Sequence, residues 1–161
     1  MDQRISSVDR VRSALAAQGV VAMSLKQFTE STATAADAAA AIGTSVGRIV
    51  KSLVFMAGEM PILVLASGPN RVDLHKLAQL VGYQPITRAN AEQVRRATGY
   101  AIGGVPPFGY PEPVQAYMDR DLLTYDEVWA AGGTPSTVFP IRPDDLLRVT
   151  GAEVAEVAAR T

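Results

Sequence analysis

The 161-residue chain has no cysteine and a single histidine, His75. The first absence excludes a disulfide framework, a thiol nucleophile and a thiolate metal site together. The second excludes a multi-histidine metal cage and makes any Ser-His-Asp triad depend on one residue. An excess of one charge is missing too. Fifteen Lys and Arg stand against sixteen Asp and Glu, for a net charge of −1, with no block of like charge. Such a chain does not coat a long nucleic acid electrostatically, although a few local cations could hold one end of one. A DNA partner is not expected. The apolar runs fall far short of the ~18 residues needed to cross a bilayer, so no membrane partner is expected either. The N-terminal stretch MDQRISSVDRVRSALAAQG carries charges throughout and has no apolar h-region. No signal peptide is therefore expected, and a cytoplasmic location follows.

What is present is globular. A chain that is 48% hydrophobic and 19% charged is not disordered, and its length suits one domain spanning residues 1–161. A chain of this size buries roughly 68–70% of its unfolded surface, enough for a core without disulfide staples. Ser7, with Val8, Val11 and Leu15 at helical spacing, predicts a first helix that Gly19 ends. Val20 to Leu25 reads as a short strand. Thr34, followed by Asp37, starts an alanine-rich helix ending at Gly43. Ile49 to Met56 (IVKSLVFM) and Ile62 to Ala66 (ILVLA) are β-branched and apolar on both faces. They predict a buried central hairpin. Asp73 and Asn90 each cap a helix, ended by Gly82 and Gly99, with a short strand at Ile86 to Arg88 between them. Beyond Pro113 the pattern predicts a strand at Val114 to Met118, a short helix at Tyr125 to Ala131 and a strand at Val138 to Ile141. A helix starting at Pro143 and a last strand or extended tail at Val154 to Val157 complete the chain. Strands and helices mix without strict βαβ alternation. The fold class is therefore α+β, with a mixed, largely antiparallel sheet.

One stretch departs from ordinary loop composition. Thr98 to Gly109, TGYAIGGVPPFG, holds four glycines and two prolines and no charge. No helix runs through it. Bare backbone N–H groups at glycines can approach an anion or a developing oxyanion, but a rigid connection would read the same way. The loop matches neither a dinucleotide fingerprint nor a phosphate-binding P-loop. Lys51 is a cation inside an apolar strand. It either snorkels outward or lines a pocket and holds a phosphate or carbonyl oxygen. Ser52 points to the other face of a regular strand. Gly132, Gly133 and Thr134 form either a plain turn or a second loop at a pocket rim. Asp119 could orient Lys51 or a hydroxyl, or simply form a turn. A hydrolase using His75 with a serine lacks any supporting nucleophile motif.

Taken together, these stretches resemble the YbaK/EbsC family, which is related to the editing domain inserted in bacterial prolyl-tRNA synthetases. The likeness rests on Thr32, Thr34, Ala38 and Ala39, on Lys51 in VKSLVF, and on Gly99, Gly103, Gly104, Pro107 and Gly109. MDRDLLTYDEVWAAGGTP and PDDLLRVTGA extend it toward the C-terminus. The resemblance implies a bent, partly barrel-like mixed sheet surrounded by helices. It also implies a metal-independent, cofactor-free aminoacyl-tRNA deacylase. Its substrate would be tRNA for proline, or a similar tRNA, carrying a small amino acid such as serine, threonine, alanine or cysteine. Cysteine-type members carry a basic residue where this chain has Thr134-Pro135-Ser136, so cysteine is not singled out.

For the site, the resemblance implies that Lys51 holds the 3′-terminal adenosine through phosphate or the aminoacyl carbonyl, and that Gly103 and Gly104 make backbone contacts at the ester. Ser52, Val105, Pro106, Pro107, Phe108, Gly109, Asp119, Gly132, Gly133 and Thr134 form the expected substrate-binding set. The implied partners are the acceptor end of aminoacyl-tRNA and an aminoacyl-tRNA synthetase. The alternative is a non-hydrolytic tRNA-end or synthetase-binding module of the same fold.

Overall fold

The fold is described from a computed structural model covering residues 6–19, 25–29 and 31–160. The expected strand at Val20 to Leu25 falls almost wholly outside these residues. The elements, in chain order, are α1 (Ser7–Ala17), β1 (Lys26–Gln27), α2 (Ala35–Ile42), β2 (Val50–Ala57), β3 (Met60–Ser67), α3 (Leu74–Val81), β4 (Ile86–Arg88), α4 (Ala91–Thr98), β5 (Gln115–Asp119), β6 (Val128–Ala131), β7 (Thr137–Ile141), α5 (Pro143–Thr150) and β8 (Glu153–Ala155). Single 3-10 turns precede β2 and follow β5.

Local chemistry places the helix starts. Thr34 accepts the Asp37 N–H ahead of α2, Asp73 accepts the N–H groups of His75 and Lys76 ahead of α3, and Asn90 and Gln93 form a reciprocal capping box on α4. Each cap satisfies donors that the first turn would otherwise leave unpaired. The first helix is capped by Ser6, whose side chain accepts the Asp9 N–H.

Among the described residues, eight strands form two sheets rather than a closed barrel. One is a five-stranded mixed sheet of order β4-β2-β3-β5-β8, and the other a three-stranded antiparallel sheet of order β1-β7-β6. The central hairpin runs Val50↔Ser67 through Ala57↔Met60 about Gly58 and Glu59. β3 then pairs in parallel with β5, and β5 in parallel with β8. Both faces of the large sheet are covered, which explains the continuous apolar character of β2 and β3. Leu63 and Leu65 pack with Val54, Met56, Met118, Phe139 and the α1 residues Val11 and Leu15 on one face. Ile62, Val64 and Ala66 pack with Phe55, Leu77, Tyr117 and Val157 on the other. A third cluster, Ala38, Ala39, Ile49, Trp129 and Val138, joins α2 to the small sheet.

The expected helix at Tyr125 to Ala131 is instead an extended approach into β6. Val128 and Ala130 enter the main core while Trp129 enters the third cluster. That is the two-residue alternation of a strand, locked by pairing with β7 from Val128↔Ile141 to Ala131↔Val138. Burial on both faces and pairing with β7 outweighed the intrinsic helix preference of the two alanines.

Candidate active site

The site begins at a gap in β2. On the side away from β3, β4 covers Phe55 to Ala57, and its ladder ends with the Ala89 N–H donated to the Val54 carbonyl, 3.1 Å away. Farther down, an isolated parallel bridge joins Ile49 to Trp129. Among the described residues, 51–53 between them have no partner strand on that edge. A cavity of about 290 Å³ occupies the gap. Its walls are Thr32 to Ala35 and Ala38 from the start of α2, Val50 to Val54 from β2, Arg88, Ala89 and Val94, Ile102, Gly103 and Val105 from the glycine loop, Trp129 to Ala131 from β6 and Val138 from β7. The lining is mainly apolar with a few polar groups, the usual character of a small-ligand pocket.

The strand pleat sorts the two adjacent polar residues. Ser52 shares a face with Val50 and Val54, which belong to the main core. Lys51 lies on the opposite face, with Leu53 and Phe55. Because the edge is open, both nevertheless border the cavity. Ser52 Oγ is buried without a hydrogen-bond partner among the described residues. The half-buried Lys51 donates from Nζ to the Asn70 carbonyl at 2.5 Å. Burial holds its pKa below the usual 10.5, and the nearby Arg88 and Arg71 lower it further, while Asp119 partly offsets them. Lys51 and Arg88 both border the cavity, and Arg71 lies near enough to bear on the Lys51 charge, an arrangement that favours an anionic ligand.

Asp119 acts on Lys51 through the chain rather than by direct contact. It is fully buried at the end of β5. Its carboxylate accepts the Ser67 N–H at 3.1 Å, the Asn70 Nδ2–H at 2.8 Å and the Asp121 N–H at 2.9 Å. Asn70 Nδ2 also donates to Asp121 at 2.7 Å. The turn that carries the Asn70 carbonyl, and with it the Lys51 ammonium, is held by this carboxylate. Asp119→Ala would leave the buried Ser67 N–H unpaired and remove the acceptor shared by Asn70 and the Asp121 N–H. A loss of about 3 kcal/mol is expected in the urea unfolding free energy. A midpoint unchanged from the parent would contradict the assigned role.

The glycine loop is held by its own turn, by the Gly133 loop and by Arg10 of α1. The Gly104 N–H turns back to the Ala101 carbonyl at 3.1 Å, and the Gly104 carbonyl accepts the Gly133 N–H at 3.0 Å. Gly104 is therefore a joint between two loops, with both backbone groups committed. Gly103 has a left-handed φ of +94° and faces the cavity. Its N–H donates to none of the described residues. The third segment, at Thr32, is tied to the second loop by Thr32 N–H and Oγ1–H donation to the Pro135 carbonyl at 2.6 and 3.1 Å. Behind the loop, the Arg10 guanidinium of α1 lies 4.4 Å from the Tyr100 ring centre and donates to the Gly99 carbonyl at 3.1 Å.

Of the residues expected from sequence, Lys51, Ser52, Gly103 and Val105 border one cavity. Gly104, Gly133 and Thr134 stand behind its glycine wall, with Gly132 donating to the Thr137 carbonyl at 2.7 Å. Pro106, Pro107 and Phe108 are buried. Phe108 meets Phe139 edge-on at 5.9 Å in the core, and the Pro106 carbonyl accepts the Tyr110 hydroxyl. Gly109 is exposed beside Ala14 of α1. His75 is exposed at the start of α3 and does not border the cavity. Sequence reading missed Arg71, Arg88, Ile102 and Trp129. They come from turns and strands far apart in the chain, and no local spacing marks them.

Residues 29–149 match a family described as the aminoacyl-tRNA editing domain. A crystal structure of a protein described as a candidate trans-editing enzyme for prolyl tRNA synthetase superimposes with a TM-score of 0.90 at 48% identity. The match covers 98% of this chain and 100% of that one. EbsC of Enterococcus faecalis, a candidate Cys-tRNA(Pro)/Cys-tRNA(Cys) deacylase, is 25% identical over 134 residues, 83% of this chain and 82% of that protein. A proline–tRNA ligase of Elusimicrobium minutum is 33% identical over 87 residues, 54% of this chain but 15% of the ligase.

Proposed function

Since the chain belongs to the aminoacyl-tRNA editing domain family, we propose that it is a deacylase that hydrolyses the ester of mischarged tRNA in the cytoplasm. The substrate would be tRNA for proline, or a similar tRNA, carrying a small amino acid. The observation that carries this reading is the meeting of Lys51 and Gly103 at one apolar cavity, with Arg71 and Arg88 near the Lys51 ammonium. The cations suit the phosphate of the terminal nucleotide, and the apolar interior suits a small aminoacyl group.

An aminoacyl ester is already activated, so the reaction needs neither a protein nucleophile nor a metal. A water molecule, assisted by a hydroxyl of the terminal ribose, adds to the ester carbonyl carbon. Lys51 Nζ–H and the unspent Gly103 N–H stabilise the oxyanion that forms. With water as the attacking group, collapse of the tetrahedral intermediate breaks the bond to the ribose oxygen. That oxygen takes a proton, and the free amino acid leaves. Asp119 and Asn70 position the lysine. Gly104, Gly133 and Thr134 set the height of the glycine wall.

The test is a panel of tRNAs charged with serine, threonine, alanine, cysteine and proline, followed by release of amino acid above the enzyme-free rate. Accelerated release from at least one mischarged species is expected. Tight binding of charged tRNA with an unchanged ester lifetime would instead make the protein a binding module, for the tRNA end or for a synthetase complex.

A further inference from the structure

The turn whose Asn70 carbonyl receives the Lys51 ammonium has a second fastening, far away in sequence. Beyond β8, residues 156–160 cross residues 70–73. The Asp73 N–H donates to the Val157 carbonyl at 2.8 Å, and the Ala159 N–H donates to the Arg71 carbonyl at 2.7 Å. Between them, Val72 and Ala158 form an antiparallel bridge. Lys76 Nζ donates to the Ala158 carbonyl at 2.8 Å. Val157 and Ala158 are buried, so apolar burial anchors the segment as well.

At the far end of the segment, Arg160 reaches back toward the same turn. Its Nη2 donates to the two Asp121 carboxylate oxygens at 3.1 and 3.0 Å and to Glu156 Oε1 at 2.9 Å. Arg120 holds Glu156 in turn, at 2.7 Å. Asp121 accepts the Asn70 Nδ2–H at 2.7 Å, and Asp119 accepts the other at 2.8 Å. An asparagine amide has two hydrogens to give. Each carboxylate takes one, so neither alone fixes the turn. Arg160, Asp121, Asn70 and Lys51 therefore form one continuous hydrogen-bonded path that ends at the cavity.

Exposed ion pairs such as Arg160 with Asp121 add little to stability. Placement is another matter. Lysine carries its charge on a flexible four-carbon stem, and an ammonium is most effective when it is held in advance where charge develops. On the deacylase reading, on which this depends, we infer that Asp121 and Arg160 are positioning residues for Lys51, and that residues 156–160 are a strap over the turn that holds its ammonium. With the strap loosened, the lysine keeps its charge and loses its fixed position.

The experiment measures kcat/KM for Asp121→Ala and Arg160→Ala, each in the parent and in Lys51→Met, on a mischarged tRNA that the parent hydrolyses. A thermal midpoint and a pH–rate profile accompany each variant. Asp121→Ala should lower kcat/KM about tenfold and Arg160→Ala about threefold, less than the loss of the ammonium itself. In Lys51→Met neither change should lower the remaining rate further, because a positioning residue acts only through the group it positions. In Asp121→Ala the alkaline limb of the rate should move to lower pH, since the charged lysine loses a fixed acceptor. Arg160→Lys, which keeps a cation beside Asp121, should recover most of the rate. Arg160 is exposed, so its variants should keep the parent's thermal midpoint, and they carry the comparison should Asp121→Ala not fold. Parental rates in both single variants overturn the inference, as does an equal fold-loss with and without Lys51. Should Lys51→Met leave no rate above the enzyme-free control, the limb decides, and a limb that stays in place overturns the inference. No release by the parent from any mischarged tRNA would sink the deacylase reading itself, a result distinct from release that ignores the strap.

Discussion

Replacing Lys51 by methionine is expected to lower kcat/KM on a mischarged tRNA about 10²–10³-fold, the usual consequence of losing a preorganised oxyanion or phosphate donor. Methionine keeps the length of the stem along the cavity wall and removes only the ammonium. The fold should survive, because Asn70 stays held by Asp119 and Asp121. Linkage points the same way. The folded protein holds the Lys51 pKa below 10.5, chiefly by burial, whereas the unfolded chain restores it. Between the two values the unfolded state binds more protons, so the lysine's contribution to stability rises with pH there. Below the folded pKa the charge is a net penalty, and removing it at neutral pH should not unfold the chain.

The same shift predicts an alkaline limb in the parent rate. Activity attributable to the ammonium falls at a pH below 10.5, measured against an enzyme-free control at every pH. The residual rate of Lys51→Met lacks that limb. A variant that retains the parent's full rate would remove Lys51 from the reaction.

Gly104→Ala is the second large effect, and it acts through shape. A Cβ at Gly104 would lie 2.7 Å from the Thr134 carbonyl carbon, 2.8 Å from its Cα and 3.0 Å from its nitrogen. These are backbone atoms and cannot rotate away. The two loops must separate, and the Gly133 N–H bond to the Gly104 carbonyl is strained or lost. Destabilisation of about 1–3 kcal/mol is expected from overpacking. Displacing the glycine wall by about 1 Å would lower kcat/KM on the order of 10²-fold in the fraction that folds. Steady-state kinetics paired with a thermal midpoint would separate the two. A variant with parental rate and stability would mean that the loops do not touch as described.

Much of the fold is written in local chemistry. Thr34, Asp73 and Asn90 start their helices and Gly43, Gly82 and Gly99 end them, because caps act within one turn of the chain. The apolar runs of β2 and β3 announced strands buried on both faces. β6 was not legible: Tyr125 to Ala131 has no strong strand signal of its own, and pairing with β7 decided it. The candidate site was half legible. A lysine in an apolar strand and a glycine loop without charge are anomalies that a sequence displays. That Gly104 is a joint while Gly103 faces the cavity depends on where Thr134 lies.

The sequence by itself determined the α+β class, most of the helices, the central hairpin and the two unusual elements, Lys51 and the Thr98–Gly109 loop. All of these rest on interactions between residues close in the chain or on the pattern of burial along it. Only the tertiary structure decided that β4 stops short of residues 51–53, leaving a cavity at the edge of β2. It also decided that Arg71 and Arg88 lie near Lys51, that Asp119 holds the turn beneath it, and that Ser52 Oγ has no partner among the described residues. Each of these is a relation between segments whose separation in sequence carries no trace of their distance in space.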